Sequence, residues 1–94
     1  MMKMSDKERN ETVESLERET RKWLARLESE TKGGIKPVGK TNQEKIRNSI
    51  DNIHAYIKDC NYFLEQGDLV RAFEAIVYAW GIYETLLRLN LIKK

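Results

Sequence analysis

Ninety-four residues set a single domain with one modest core, and 40 % hydrophobic against 34 % charged residues, with one Pro and five Gly, point to an all-helical chain. Seventeen basic and fifteen acidic side chains leave a formal charge of +2, a balance that gives no strong pull toward nucleic acid or an anionic membrane. The single cysteine, Cys60, excludes an internal disulfide and a cysteine-based zinc site, and with no apolar run near ~20 residues and no signal peptide the expected setting is a reducing cytoplasm.

Ser5-Asp-Lys-Glu8 reads as a capping box that opens the first helix. Asp6 to Thr12 carries no apolar residue, so residues 1–12 are expected to be a flexible or frayed segment and residues 13–94 the domain. From Val13 onward Leu16, Thr20, Trp23, Leu24 and Leu27 recur at spacings of three and four, which predicts a helix over about 6–29. Gly33-Gly34 and Pro37 with Gly39 then interrupt the pattern, giving a loop over 30–41. No strand signal is present in the sequence.

Thr41-Asn-Gln-Glu44 is a second capping box, with Thr41 as N-cap of a helix over 42–65. Ile46, Ile50, Ile53, Ile57, Cys60 and Leu64 alternate steps of four and three along it, the seam of a left-handed bundle. Gly67 stops this helix and Asp68 caps the next, and so short a connection makes the two antiparallel. The third helix, 68–89, places Leu69, Phe73, Ile76, Trp80, Tyr83 and Leu87 on one seam, with Phe63 and Phe73 filling the core. Val70, Val77, Ala72, Ala79, Leu86, Ile82 and Leu89 widen it to roughly twice the ~100° stripe that a helix at the edge of a domain requires. The expected architecture is therefore an all-α, left-handed, up-down-up three-helix bundle whose third helix has apolar surface to spare.

Gly34-Ile-Lys-Pro-Val-Gly39-Lys40-Thr41 matches the GxxxxGK[ST] pattern of phosphate-binding loops. The context opposes that chemistry: the pattern works between a strand and a helix, with successive N–H groups pointing at phosphates, and here a helix precedes it and Pro37 removes a donor. Lys32, Lys36, Lys40, Lys45 and Arg47 concentrate positive charge around the same loop, either as a phosphate-backbone contact or as a solvated loop; no aromatic interleaves with them to stack bases. Arg47 and His54 have a spacing similar to that of the ribonuclease motif of the HEPN helical domains, where the motif lies on a late helix and not the middle one. Cys60 sits on the seam as a small hydrophobe. The run from Gly67 through Leu69, Ala72, Ile76 and Ala79 has the spacing of a tetratricopeptide repeat, but one unit is too few for a solenoid. No catalytic set, metal site or cofactor site is read from the chain.

The string from Asp59 to Gly81, with Phe63, Gly67-Asp68, Ala72-Phe73, Tyr78-Ala79 and Gly81 as landmarks, resembles the signature of an archaeal family of small proteins, the domain of unknown function 357 family. The resemblance covers about Thr41 to Ile92, with Glu84 in place of a usual Asp and Asn90 in place of a Gly near the helix end. It implies a short cytoplasmic three-helix bundle and carries no activity.

Gly81 is the landmark with no role in such a core. In mid-helix it costs about 1 kcal/mol against Ala, which implies that something approaches the backbone there. The expected function is a non-enzymatic protein-interaction or oligomerisation module, partnered by a second copy or another protein, with Tyr78, Gly81, Ile82, Glu84, Thr85 and Arg88 lining the contact. The alternative is an accessory RNA- or nucleotide-binding domain using the basic region from Lys36 to Arg47. Neither reading involves a membrane.

Overall fold

The computed structural model describes residues 6–93. It consists of three helices, α1 (Asp6–Thr31), α2 (Gln43–Glu65) and α3 (Leu69–Arg88), with two-residue strands β1 (Lys36–Pro37) and β2 (Ile92–Lys93). The molecule is an elongated all-α bundle of 55 × 26 × 17 Å. Its centre is the α2–α3 hairpin; α1 lies along α3 and barely meets α2. β1 follows α1 and pairs with β2, which follows α3, so α1 and α3 end at the same pole and run up, while α2 runs down.

The hairpin corner forms as the sequence requires. Gly67 takes a left-handed φ of 75°. Its N–H donates to the Leu64 carbonyl at 3.1 Å, and the Asp68 N–H donates to the Phe63 carbonyl at 2.9 Å, which together close a Schellman motif. Asp68 then caps α3 by accepting the Arg71 N–H. The far end of α3 repeats this geometry with Asn90, at φ 55°: its N–H donates to the Leu87 carbonyl, and that of Leu91 to the Leu86 carbonyl. Asn tolerates the left-handed region because its short polar side chain bonds locally. This turn sends the tail back to pair with the loop, Lys36 opposite Lys93 and Pro37 opposite Ile92, and buries Ile35 and Ile92 at that pole.

Four sequence expectations require correction, and one falls outside the described residues. The chain does contain a strand pair, too short to leave a periodic signal. Thr41 does not cap α2: the N-cap is Asn42, at φ 59°, and no side-chain cap bond forms. A capping oxygen is aimed at the next amides from the extended region, which Asn42 does not occupy. The Gln43 amide instead donates back to the Gly39 carbonyl. The Ser5 capping box lies outside the described residues; α1 itself is helical from Asp6 and continues to Thr31, two residues past its expected end.

The fourth correction concerns α3 and shapes the site. Its buried face is Ala72, Ala75, Ile76, Ala79, Tyr83 and Leu86: of the expected seam Ile76 and Tyr83 are buried, while Leu69, Trp80 and Leu87 are half-buried and Phe73 is exposed. The alanines let α2 come close, so α3 turns its small residues inward against Ile50, Ile53, Cys60 and Leu64. Phe73 is thereby rotated out of the core to 38 % exposure, and Phe63 is only half-buried. The seam of α2 stands as read, except that Ile57 is half-buried.

Candidate interaction surface

Turning the alanine face inward leaves a large apolar face outward. Val70, Phe73, Val77 and Gly81 follow one another at steps of three and four along the open side of α3, and all are exposed. Val77 is 49 % and Tyr78 58 % exposed. Consecutive apolar residues on one open helix face are the pattern that marks contact surfaces on small proteins.

A groove flanks this stripe on each side. Toward α1, Trp23, Phe73, Ile76, Val77, Trp80, Gly81 and Glu84 enclose a cavity of about 330 Å³. Its wall is built by a bond between helices: the Trp80 indole N–H donates to the Trp23 carbonyl at 2.9 Å, and the two rings meet edge to face at 5.6 Å. Lys22 and Arg26 stand over the Trp23 ring at 5.6 and 5.1 Å, which gives this groove a basic rim. Toward α2, Ser49, Tyr78, Ile82, Thr85 and Leu86 join Val77 and Gly81 around a shallower hollow of about 560 Å³. Tyr78 leans on Tyr56 of α2 at 5.6 Å.

Val77 and Gly81 form the ridge between the grooves. A Cβ built on Gly81 meets nothing within 4 Å among the described residues. The Thr85 hydroxyl donates to the Gly81 carbonyl at 2.7 Å.

The six residues read from the sequence fall on this surface in two sets. Tyr78, Ile82 and Thr85 line the α2-side hollow with Gly81, while Glu84 lines the α1-side groove. Arg88 lies beyond both and pairs with Glu84 at 3.7 Å. Trp23, Phe73 and Val77 belong to the same surface and are absent from the sequence-derived set. A helix apolar around most of its circumference offers no clear signal to separate Phe73 from the core, and the alanine spacing at 72, 75 and 79 hints at which face turns inward.

The basic region is arranged differently. Lys36, Arg47 and Lys93 line a hollow of about 550 Å³ near the start of α2, together with Gln43 and Asp51; Lys93 joins through the strand pairing. His54 is exposed further along α2 and does not line that hollow. The phosphate-loop pattern is folded into this pole: residues 36–37 pair with β2, and the Val38 N–H donates to the Leu91 carbonyl, so these amides do not form a cradle. Cys60 is fully buried, and burial, with a smaller contribution from Glu28, pushes its thiol up to about 11 against a small opposing effect of Arg21. Among the described residues no group of three His, Cys, Asp or Glu is placed to hold a metal ion, and no helix is long and apolar enough to cross a membrane.

No curated protein matches the chain. Among solved structures, protein AF1782 from Archaeoglobus fulgidus, itself assigned to DUF357, is 42 % identical and superposes with a TM-score of 0.74, covering 88 % of this chain and 97 % of that one. Residues 22–92, from the base of the Trp23 groove to β2, match the model of DUF357, a protein family of unknown function, and the chain belongs to that family.

Proposed function

We propose that the protein is an interaction module that binds a partner helix on the outer face of α3, without a catalytic centre or cofactor of its own. The observation that carries this reading is the exposed run Val70, Phe73, Val77 and Gly81 between two grooves, on a helix whose opposite face is already fully packed. A lone bundle gains nothing from leaving a phenyl ring and two valines in water, nor from a glycine in mid-helix. Both features become favourable when a second helix covers them. The buried, unpaired thiol of Cys60 fits a reducing, cytoplasmic setting for this role.

The test compares tagged wild type with Val77→Glu in a lysate of the source cells. Wild type retains a chain that the variant loses while its helical circular dichroism is kept. Identical retained proteins on both baits refute the reading.

A second reading draws on the convergence of Lys36, Arg47 and Lys93 on one hollow. Lys36 and Lys93 stand directly opposite across the strand pair, where like charges repel and a bound phosphate relieves them. It predicts binding of single-stranded RNA that weakens with salt and with Arg47→Ala plus Lys93→Ala. Binding unchanged between low and high salt removes it.

A further inference from the structure

We infer that the partner on this face is a second copy of the chain, with α3 packed antiparallel on α3 about a twofold axis at Val77. This rests on the interaction reading above and names its occupant.

The argument begins from spacing. Phe73 lies four residues before Val77 and Gly81 four after it, one helical turn to either side. In an antiparallel pair centred on Val77, the Phe73 ring of each copy arrives at the level of Gly81 of the other. What it meets there is the α1-side groove, about 330 Å³ between Trp23, Trp80 and Gly81. At Gly81 that space is open: a Cβ there would meet no atom within 4 Å. The same ring-into-groove contact is made twice, as a twofold interface demands. Gly81 then has a physical role: a side chain at that position would occupy the seat of the incoming ring.

Charge selects the same orientation. The groove has a basic rim, Lys22 and Arg26 over Trp23. Along α1, residues 11–19 carry four acidic side chains against one basic, whereas residues 21–31 carry three basic against two acidic. Because α1 runs beside α3, the antiparallel arrangement lays the acidic half of one α1 toward the basic half of the other. A parallel arrangement would set like charges together. Area also calls for α1. A stripe of α3 about 30 Å long and about 10 Å wide covers roughly 300 Å², short of the ~800 Å² per partner of a standard interface, so both α1–α3 grooves have to be engaged.

The test uses the full chain. Sedimentation of the wild type shows a reversible dimer, and Phe73→Ala and Gly81→Leu each raise its Kd at least tenfold with helicity kept. Under diamide, Val77→Cys forms a disulfide-linked dimer, because only a residue at the axis brings two Cα atoms within about 7 Å of one another. Thr85→Cys, ~12 Å along the helix from the axis in each copy, does not, and neither does wild type with its buried Cys60. A chain that stays monomeric up to about 1 mM overturns the inference, as does a dimer indifferent to Phe73→Ala and Gly81→Leu, or cross-linking of Thr85→Cys as readily as Val77→Cys. A monomer that still retains another protein lost by Val77→Glu overturns the second copy alone; a monomer with no such difference overturns the interaction reading as well.

Discussion

Gly81→Ala should make the isolated protein more stable. The residue sits in the interior of α3, and its backbone φ is not among the positive ones, so glycine has no conformational task there. A helix interior favours Ala over Gly by about 1 kcal/mol, largely because the unfolded chain has fewer conformations to lose. Nothing in the structure opposes that gain, since the added methyl meets no atom within 4 Å. The Thr85 hydroxyl bond to the Gly81 carbonyl is a backbone contact and survives. For a chain of this size about 1 kcal/mol raises Tm by about 4–8 °C. Urea titration followed by circular dichroism measures the gain, at protein concentrations low enough that only monomer is present. As concentration rises, mass action stabilises an associating wild type and not the variant, so the two stability curves converge. A variant less stable than wild type at low concentration would mean that the fold itself requires the glycine, and the inference that its cost is borne for a partner would fail.

Trp80→Phe removes the indole N–H that reaches the Trp23 carbonyl, together with part of the edge-to-face contact. The lost hydrogen bond and trimmed ring together cost about 1–2 kcal/mol, and amide exchange in α1 accelerates more than in the α2–α3 hairpin; equal acceleration everywhere argues against α1 opening by itself. Asp68→Ala removes the cap on the Arg71 N–H and the Arg71 ion pair at 3.6 Å, for a loss of about 1 kcal/mol in urea titration, nearly all of it from the cap because the ion pair is exposed. The native state holds the Cys60 proton more tightly than the unfolded chain, so its contribution is whole below pH 9 and is lost as pH rises to about 11. The stability gap between wild type and Cys60→Ala should narrow by up to about 3 kcal/mol across that range, and parallel pH profiles would refute it.

What the sequence discloses depends on how many conformations a residue allows. Gly67-Asp68 has one reading, because only a left-handed C′ followed by an N-cap satisfies both residues, and the structure builds that corner. The α2 seam is equally plain, since its isoleucines recur at steps of four and three against a mostly polar helix. α3 is ambiguous for the opposite reason. With apolar residues around most of its circumference, helical periodicity fits either the face through Phe73 and Trp80 or the face through Ala72 and Ala79. The choice is made by distance between helices, which sequence spacing does not carry. Asn42 in place of Thr41 at the start of α2 was hidden because both residues are good caps and only the backbone path decides between them. Gly81, a local cost without a local cause, and Tyr78 mark the surface in the sequence, while Phe73 and Trp80 read there as core.

The same choice of face links the fold to the surface. By turning alanines toward α2, α3 keeps the hairpin tight but gives up the burial of Phe73, Val77 and half of Trp80. α1 recovers only part of that area, because it meets α3 at Trp23 and scarcely touches α2. The groove thus lies at the seam between the well-packed α2–α3 hairpin and the less firmly held α1. Its volume depends on how closely Trp23 sits on Trp80, so a change that loosens α1 reshapes the seat before it unfolds the hairpin. A partner bound as proposed would be coupled to the docking of α1 through one pair of rings: a ligand that fills the seat only while α1 is docked must stabilise α1 by its preference for that state.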